Sequence, residues 1–127
     1  MKIESRISEI LQIVLILSLT LALSSCSRKT KTYGQQISSN KITEIDSILK
    51  NPADFDGKIV TVQGNIIREC PTGCWFDIKQ DQAVIHIDIN PSGFAIPQIV
   101  GKEVMVEGTV FIGTSQPTIT GTGVEIK

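Results

Sequence analysis

The chemically most unusual stretch of this 127-residue sequence is Cys70-Pro71-Thr72-Gly73-Cys74-Trp75-Phe76. Its two thiols flank a Pro/Gly turn, and three kinds of chemistry fit such a pair. In an oxidising compartment, Cys70 and Cys74 form a structural disulfide that closes a tight loop. As thiolates they would bind zinc or monovalent copper, with His86 as a third ligand, although zinc normally takes four protein ligands or three and a water. A free or redox-active pair is the third alternative, weakened because thioredoxin-type motifs separate their cysteines by two residues and this pair is separated by three.

The third cysteine, Cys26, follows an apolar N-terminal segment. Ile10–Leu23 runs for fourteen residues without a charge, whereas a helix needs about 20 apolar residues to span the hydrocarbon of a bilayer. This is the length of the hydrophobic region of a signal peptide. The sequence Leu23-Ser24-Ser25-Cys26 then resembles the bacterial lipobox, in which a cysteine after small residues is acylated and becomes the new N-terminus.

The lipobox resemblance implies a signal peptide over residues 1–25 and a palmitate-type lipid on Cys26. The mature chain would then be a membrane-anchored lipoprotein of the cell envelope, facing the periplasm or the exterior, and its first partner would be the membrane itself. Several acyl chains hold a protein firmly where one holds it marginally. The alternative is an uncleaved short membrane helix in which Cys26 is incidental.

Residues 26–41 are predicted to be a flexible tether, because they are rich in Ser, Lys, Thr and Gln and show no apolar periodicity. From Ser27 to Lys41 there are four basic residues and no acid, whereas residues 42–127 carry six basic residues and eleven acids, a net charge of −5. The basic stalk is attracted to anionic headgroups. The acidic domain repels a phosphate backbone, which argues against nucleic acid as a partner.

Residues 42–127 are predicted to fold as one small domain. Apolar residues at helical spacing, Ile42, Ile45, Ile48 and Leu49, indicate a short amphipathic helix that ends at Asn51-Pro52. Runs rich in Val, Ile and Thr then predict five strands: Lys58–Glu69, Cys74–Lys79, Ala83–Asn90, Glu103–Gly113 and Thr118–Ile126. Phe94–Val100 is interrupted by Pro97 and is expected to be a helical turn or a loop.

An internal repeat indicates how these strands are arranged. Gly57–Ile66 and Gly101–Val110 both read Gly-Lys-x-Val-x-Val-x-Gly-x-apolar, so the first and the fourth strand each carry a glycine at which a long strand can bend. Such an arrangement resembles an OB-fold, a small five-stranded barrel. Asn51–Val60 further resembles the segment that leads into the first strand of "tRNA-anti-like" OB-fold domains. The resemblance implies a mostly β, five-stranded OB-fold-like barrel with a short N-terminal helix, and it transfers no catalytic residue.

One face of the second and third strands could bind a ligand. If the loop between them has an even number of residues, their apolar faces coincide, and four other side chains share the outward face: Trp75, Asp77, His86 and Asp88. OB-folds usually bind ligands on this face, and an aromatic ring, a histidine and two carboxylates would suit a cation or a polar small molecule. The alternative is that Trp75 packs under a loop and His86 is an ordinary solvated strand residue.

No known catalytic motif is present: the sequence has no phosphate-binding glycine loop, no Gly-x-Ser-x-Gly, and a single histidine. We therefore expect no catalytic residue and no resident cofactor, with metal kept as an alternative. The preferred hypothesis is a non-enzymatic, lipid-anchored binding module for an envelope protein, a small molecule or a metal ion. The others are a metal-handling or thiol-redox protein that uses Cys70 and Cys74, and a binder of single-stranded nucleic acid, which would need a basic groove with stacking aromatics.

Overall fold

The computed structural model describes residues 2–21 and 29–127. Helix α1, Lys2–Leu21, covers most of the segment predicted as a signal peptide. Within the described ranges, no helix is long and apolar enough to cross a membrane. Cys26 and the rest of the lipobox-like segment lie outside the described residues, so the lipid on Cys26 remains a prediction.

The remaining elements form a sheet with one short helix. They are strand β1 (Lys31–Gly34), helix α2 (Ile45–Lys50) and strands β2 (Ile59–Glu69), β3 (Trp75–Gln80), β4 (Ala83–Asp88), β5 (Glu103–Ile112) and β6 (Pro117–Ile126). Two short 3₁₀ turns, Pro52–Asp54 and Asn90–Ser92, follow α2 and β4. All five predicted strands are confirmed within two residues at each end. The segment from Phe94 to Val100 is a loop.

The sheet closes on itself as a barrel. Neighbouring strands pair in the order β2-β3-β4-β6-β5, and β5 pairs again with β2. Of these pairings, β4 with β6 is parallel and the other four are antiparallel. A five-stranded closed barrel of this kind confirms the predicted OB-fold-like, mostly β architecture with a short helix before it.

The core is filled by side chains that alternate along the strands. Fully buried residues include Val62, Phe76, Ile87 and Ile119, which project inward from four strands. Helix α2 adds Ile45 and Ile48, both completely buried in the same cluster. These contacts explain why a helix of six residues persists, since so short a helix is unstable without packing of its apolar face.

The two halves of the internal repeat pair directly with each other. Val62 lies opposite Val106, the equivalent residue of the second half, in the antiparallel ladder between β2 and β5. The hydrogen bonds at the ends of this ladder are also equivalent: Gly57 N–H donates to Val110 O at 2.9 Å, and Gly101 N–H donates to Ile66 O at 2.7 Å. The ladder therefore has a local two-fold axis between Val62 and Val106.

The barrel turns a corner at the second glycine of the repeat in β5. The register between β5 and β6 shifts at Gly108, which leaves Thr122 as an extra residue in β6. A Cβ atom on Gly108 would collide with the carbonyl oxygen of Thr120. Glycine is required here because the two backbones approach too closely for a side chain, as expected from the bend predicted at this position.

Strand β1 corrects one prediction. Residues 31–34 lie in the segment described as a tether without secondary structure, yet they pair antiparallel with Gly123–Ile126 of β6. The physical reason is that β4 covers the edge of β6 only from Thr118 to Thr120, so the rest of that edge is open to another strand. Beyond β1, the N–H and hydroxyl groups of Ser38 donate to Glu107 Oε2 at 3.0 and 2.9 Å. The tether prediction is thus wrong for these residues.

Candidate functional site

The hairpin of β3 and β4 places the four candidate ligand-face residues on one face of the sheet, as predicted for a loop with an even number of residues. A two-residue turn, Asp81 and Gln82, separates the strands. Asp77 pairs with His86, and Trp75 pairs with Asp88. Because Phe76, Ile78, Ile85 and Ile87 are buried in the core, these paired residues lie on the outer face of the barrel.

Asp77 is the unusual residue of this face. Its side chain is only 8% exposed although it points away from the core. Arg68 Nε–H donates to its Oδ2 at 2.8 Å, and the Nη2 atom of Arg68 lies 2.6 Å from the same oxygen. His86 Nδ1–H donates to its Oδ1 at 2.6 Å. Both oxygens are therefore engaged, which offsets the cost of burying a carboxylate.

Arg68 is the site residue that the sequence analysis missed. Strand β2 pairs Ile66 with Ile78 and then Arg68 with Asp77, so Ile67 is the extra residue of a β-bulge. In a regular ladder Ile67 would lie opposite Asp77 and Arg68 would lie opposite Phe76. The bulge thus turns the Arg68 side chain toward the outer face. No residue pattern in the sequence predicts a bulge at this position.

Trp75 lies beside the same cluster. Its ring centroid is 5.3 Å from that of His86, with the planes tilted by 40°. The guanidinium carbon of Arg68 lies 5.6 Å from the Trp75 centroid, within the range of a cation–π contact. Trp75 therefore contacts the imidazole ring of His86 and the guanidinium of Arg68, and Arg68 connects it to Asp77.

A groove of about 540 Å³ opens over Arg68, Asp77 and His86. One wall comes from the end of α2 and the turn after it, through Leu49 and Pro52. Its other boundaries are Val84, the loop residues Ser115 and Gln116 between β5 and β6, and Pro117 at the start of β6. Two of the four predicted ligand-face residues, Asp77 and His86, thus line a concave surface, which is the shape that small-molecule sites take. Trp75 and Asp88 lie on the same face of the sheet but do not line the groove.

The two remaining candidate cysteines form the disulfide that was one of the three alternatives. Cys70 and Cys74 are joined, with their Cα atoms 5.7 Å apart. The turn between them needs Gly73, whose φ is +73° and whose Cβ would collide with the carbonyl oxygen of Ile96. Gln98 fixes the loop from outside, since its amide donates to Cys70 O at 2.8 Å and to Pro71 O at 2.7 Å.

The disulfide also bears on the metal alternative. No group of three or more His, Cys, Asp or Glu side chains is placed to hold a metal ion in the described ranges. Cys70 and Cys74 do not present thiolates in this state, because their sulfurs are bonded to each other.

The main donor group that remains available to a ligand is the guanidinium of Arg68. Asp77 has both oxygens occupied, and Asp88 Oδ1 accepts from Asn90 N–H at 3.0 Å. The Arg68 side chain is 71% exposed and keeps N–H groups beyond those directed at Asp77. With Nδ1–H of His86 donating to Asp77, the other ring nitrogen, Nε2, is an acceptor in the neutral imidazole. The free N–H groups of Arg68 therefore suit the site to a ligand with hydrogen-bond acceptors, and their positive charge disfavours a cation.

The barrel is similar to the solved structure of the hypothetical protein ygiW from E. coli, with a TM-score of 0.56. The two chains are 19% identical, and the match covers 75% of this chain and 99% of the other. No protein-family model and no curated protein matches the sequence. The structural likeness shows the fold alone: this chain is an OB-fold-like protein similar to a protein described as hypothetical.

Proposed function

We propose that the protein is a lipid-anchored, non-enzymatic binding module of the bacterial envelope whose groove holds a compact ligand that bears a carboxylate. The observation that carries the binding proposal is the buried carboxylate of Asp77, held on the outer face by two basic side chains at the floor of a groove. Ordinary solvated strand residues do not need such a network, because water satisfies them.

The charges of the site favour this ligand class. Arg68 provides N–H groups that match carboxylate geometry, and Trp75 beside it provides a flat apolar surface. The domain as a whole carries −5 over residues 42–127, which disfavours a long polyanion such as nucleic acid. A small carboxylate avoids this repulsion because exposed charges more than about 10 Å away are largely screened at 0.1 M salt.

The lipid anchor is supported by the lipobox-like segment before Cys26 and by the apolar residues ahead of it. Acylation would be seen directly as the intact mass of the protein from membranes, which would correspond to a chain that begins at Cys26 and carries lipid. A mass that retains residues 1–25 would contradict it.

Trp75 makes the binding proposal directly testable, because it is the single tryptophan of the chain and contacts His86 and Arg68, which line the groove. Purified full chain in detergent is titrated with succinate and, separately, with putrescine, while tryptophan emission is recorded. We expect a saturable change with the dicarboxylate that is lost in Arg68→Gln and retained in Lys58→Gln, which removes the same charge at an exposed position outside the groove. A response to the diamine alone, or one unchanged by Arg68→Gln, would contradict the proposal.

A further inference from the structure

A second pocket, at another place on the barrel, is lined by four lysines from three separate parts of the sequence: Lys29, Lys31, Lys102 and Lys127. We call these residues the lysine cluster. The strands bring them together. Lys31 of β1 pairs with Ile126, the neighbour of Lys127. Lys127 N–H in turn donates to the carbonyl oxygen of Glu103, the neighbour of Lys102, at 3.0 Å. The pocket has a volume of about 240 Å³.

The lysine cluster surrounds apolar side chains. Tyr33, Pro97, Ile99 and Ile126 line the same pocket, and Tyr33, Ile99 and Ile126 pack at the edge of the core. Long lysine stems can cover such apolar surface while their ammonium groups remain in water. Tyrosine and basic residues together are typical of surfaces at the membrane–water interface.

The charge of this pocket is largely uncompensated. Lys127 Nζ lies 3.6 Å from Glu103 Oε1. Lys29, Lys31 and Lys102 form no ion pair with any residue in the described part of the chain. In a domain with a net negative charge, this end is therefore locally cationic.

The position of strand β1 brings the lysine cluster close to the proposed anchor. Only two residues lie between Cys26 and Lys29, and four lie between Cys26 and Lys31. A fully extended chain spans roughly 3.4 Å per residue, so Lys31 lies within roughly 17 Å of a lipid on Cys26. This step rests on the proposed lipid anchor.

We propose that the lysine cluster is the docking surface of the barrel for an anionic membrane surface. The domain then lies on the bilayer with this end toward the headgroups, instead of standing away from it on a long stalk. Each lysine near such a surface is expected to strengthen docking about fivefold.

The test uses the full chain, purified from membranes and reconstituted into vesicles of phosphatidylcholine alone or of phosphatidylcholine mixed with phosphatidylglycerol. Lysine acetylation rates are measured by mass spectrometry for each position. We expect Lys29, Lys31, Lys102 and Lys127 to be protected in the anionic vesicles and not in the neutral ones, with protection lost at high salt. Lys50 and Lys58 serve as internal controls and should react equally in both.

A matched pair of variants tests the electrostatic origin of docking. Lys31→Gln/Lys102→Gln should weaken the protection of Lys29 and Lys127, by about fivefold for each lysine removed. Lys50→Gln/Lys58→Gln removes the same charge elsewhere. Val110 N–H donates to Lys58 O at one end of the ladder between β2 and β5, and Ile66 N–H donates to Lys102 O at the other end. Lys58 and Lys102 are therefore roughly 26 Å apart, because eight residues of β-strand separate position 58 from position 66. This control should leave protection unchanged.

Three results would overturn the docking proposal: equal protection in neutral vesicles, no protection of the lysine cluster in anionic vesicles, or protection of the same lysines by inorganic phosphate in detergent. The last would indicate a pocket for free phosphate. Flotation with neutral vesicles reports the anchor separately. If the chain floats with neutral vesicles but its lysines are not protected in anionic ones, docking is refuted and the lipid anchor is retained. If the lysines are protected in anionic vesicles but the chain does not float with neutral ones, docking is supported and the anchor is refuted.

Discussion

His86 Nδ1 lies 2.6 Å from Asp77 Oδ1, at directly paired positions of β3 and β4. The pairing makes the hydrogen bond a consequence of strand register, which in turn follows from the two-residue turn between the strands. Arg68, in β2, donates a hydrogen bond to the other carboxylate oxygen, Oδ2. A single buried carboxylate thereby ties three strands together on the outer face of the barrel.

Replacing Asp77 with Asn should lower the free energy of unfolding by about 1–3 kcal/mol, because charge-assisted hydrogen bonds to Arg68 and His86 are lost in a nearly buried position. Urea unfolding followed by circular dichroism measures this difference. Asp88→Asn is the matched control on the same face, where the carboxylate accepts from one backbone N–H, and it should cost less. Equal losses would show that Asp77 contributes no more than an ordinary surface acid.

Arg68 and His86 should be energetically coupled through Asp77. Each single variant, Arg68→Gln or His86→Gln, leaves the carboxylate one of its two native hydrogen-bond partners, whereas the double variant leaves it neither. The double variant should therefore lose more stability than the two single losses combined, by about 0.5–2 kcal/mol. A double-mutant cycle in urea measures the coupling. Simple additivity would indicate that the two side chains bind Asp77 independently.

Gly73 should be much less replaceable than another glycine of similar backbone geometry. Gly73 and Gly93 have φ values of +73° and +76°. A Cβ atom on Gly73 would collide with the carbonyl oxygen of Ile96, whereas a Cβ atom on Gly93 would have no non-neighbouring heavy atom within 4 Å. Gly93→Ala should cost about 1–2 kcal/mol from the left-handed backbone alone. Gly73→Ala should cost more, because the collision involves backbone that cannot move aside. Thermal or urea unfolding of both variants tests this, and equal costs would contradict the predicted close approach.

Reducing the disulfide between Cys70 and Cys74 should lower the free energy of unfolding by about 2 kcal/mol, the loop-closure value for so short a loop. The variant Cys70→Ser/Cys74→Ser should show the same loss and should no longer respond to reductant. The barrel should still fold, because Gln98 continues to hold the carbonyls of residues 70 and 71. Loss of the β-sheet signal on reduction would show that the disulfide is required for folding.

Much of this fold could be predicted from local patterns. Alternating Val, Ile and Thr residues define β2 to β6, and the repeated Gly-Lys-x-Val-x-Val-x-Gly segment identifies two long strands that curve. The shared face of Trp75, Asp77, His86 and Asp88 followed from the alternation of side chains along each strand and from an even number of residues in the loop between the strands. These features are local, and a sequence records them directly.

The features that could not be predicted depend on tertiary pairing. Strand β1 has no apolar alternation and forms because the edge of β6 is left open beyond Thr120. Arg68 joins the site only because Ile67 bulges out of the ladder. The lysine cluster combines residues from both ends of the domain. The choice of disulfide over metal was also open, because two cysteines at this spacing serve either role.

The two-fold ladder between β2 and β5 has a consequence for how copies of this chain behave toward one another. The two halves share one sequence pattern and pair about this axis, so two exposed copies of β2 from different molecules would be able to pair in the same way. Such self-recognition is a route to strand exchange and aggregation. In the closed barrel β2 is already flanked by β3 and β5, and β5 by β2 and β6. Closure of the barrel therefore keeps this edge of β2 paired with β5 and unavailable to a second copy of the chain.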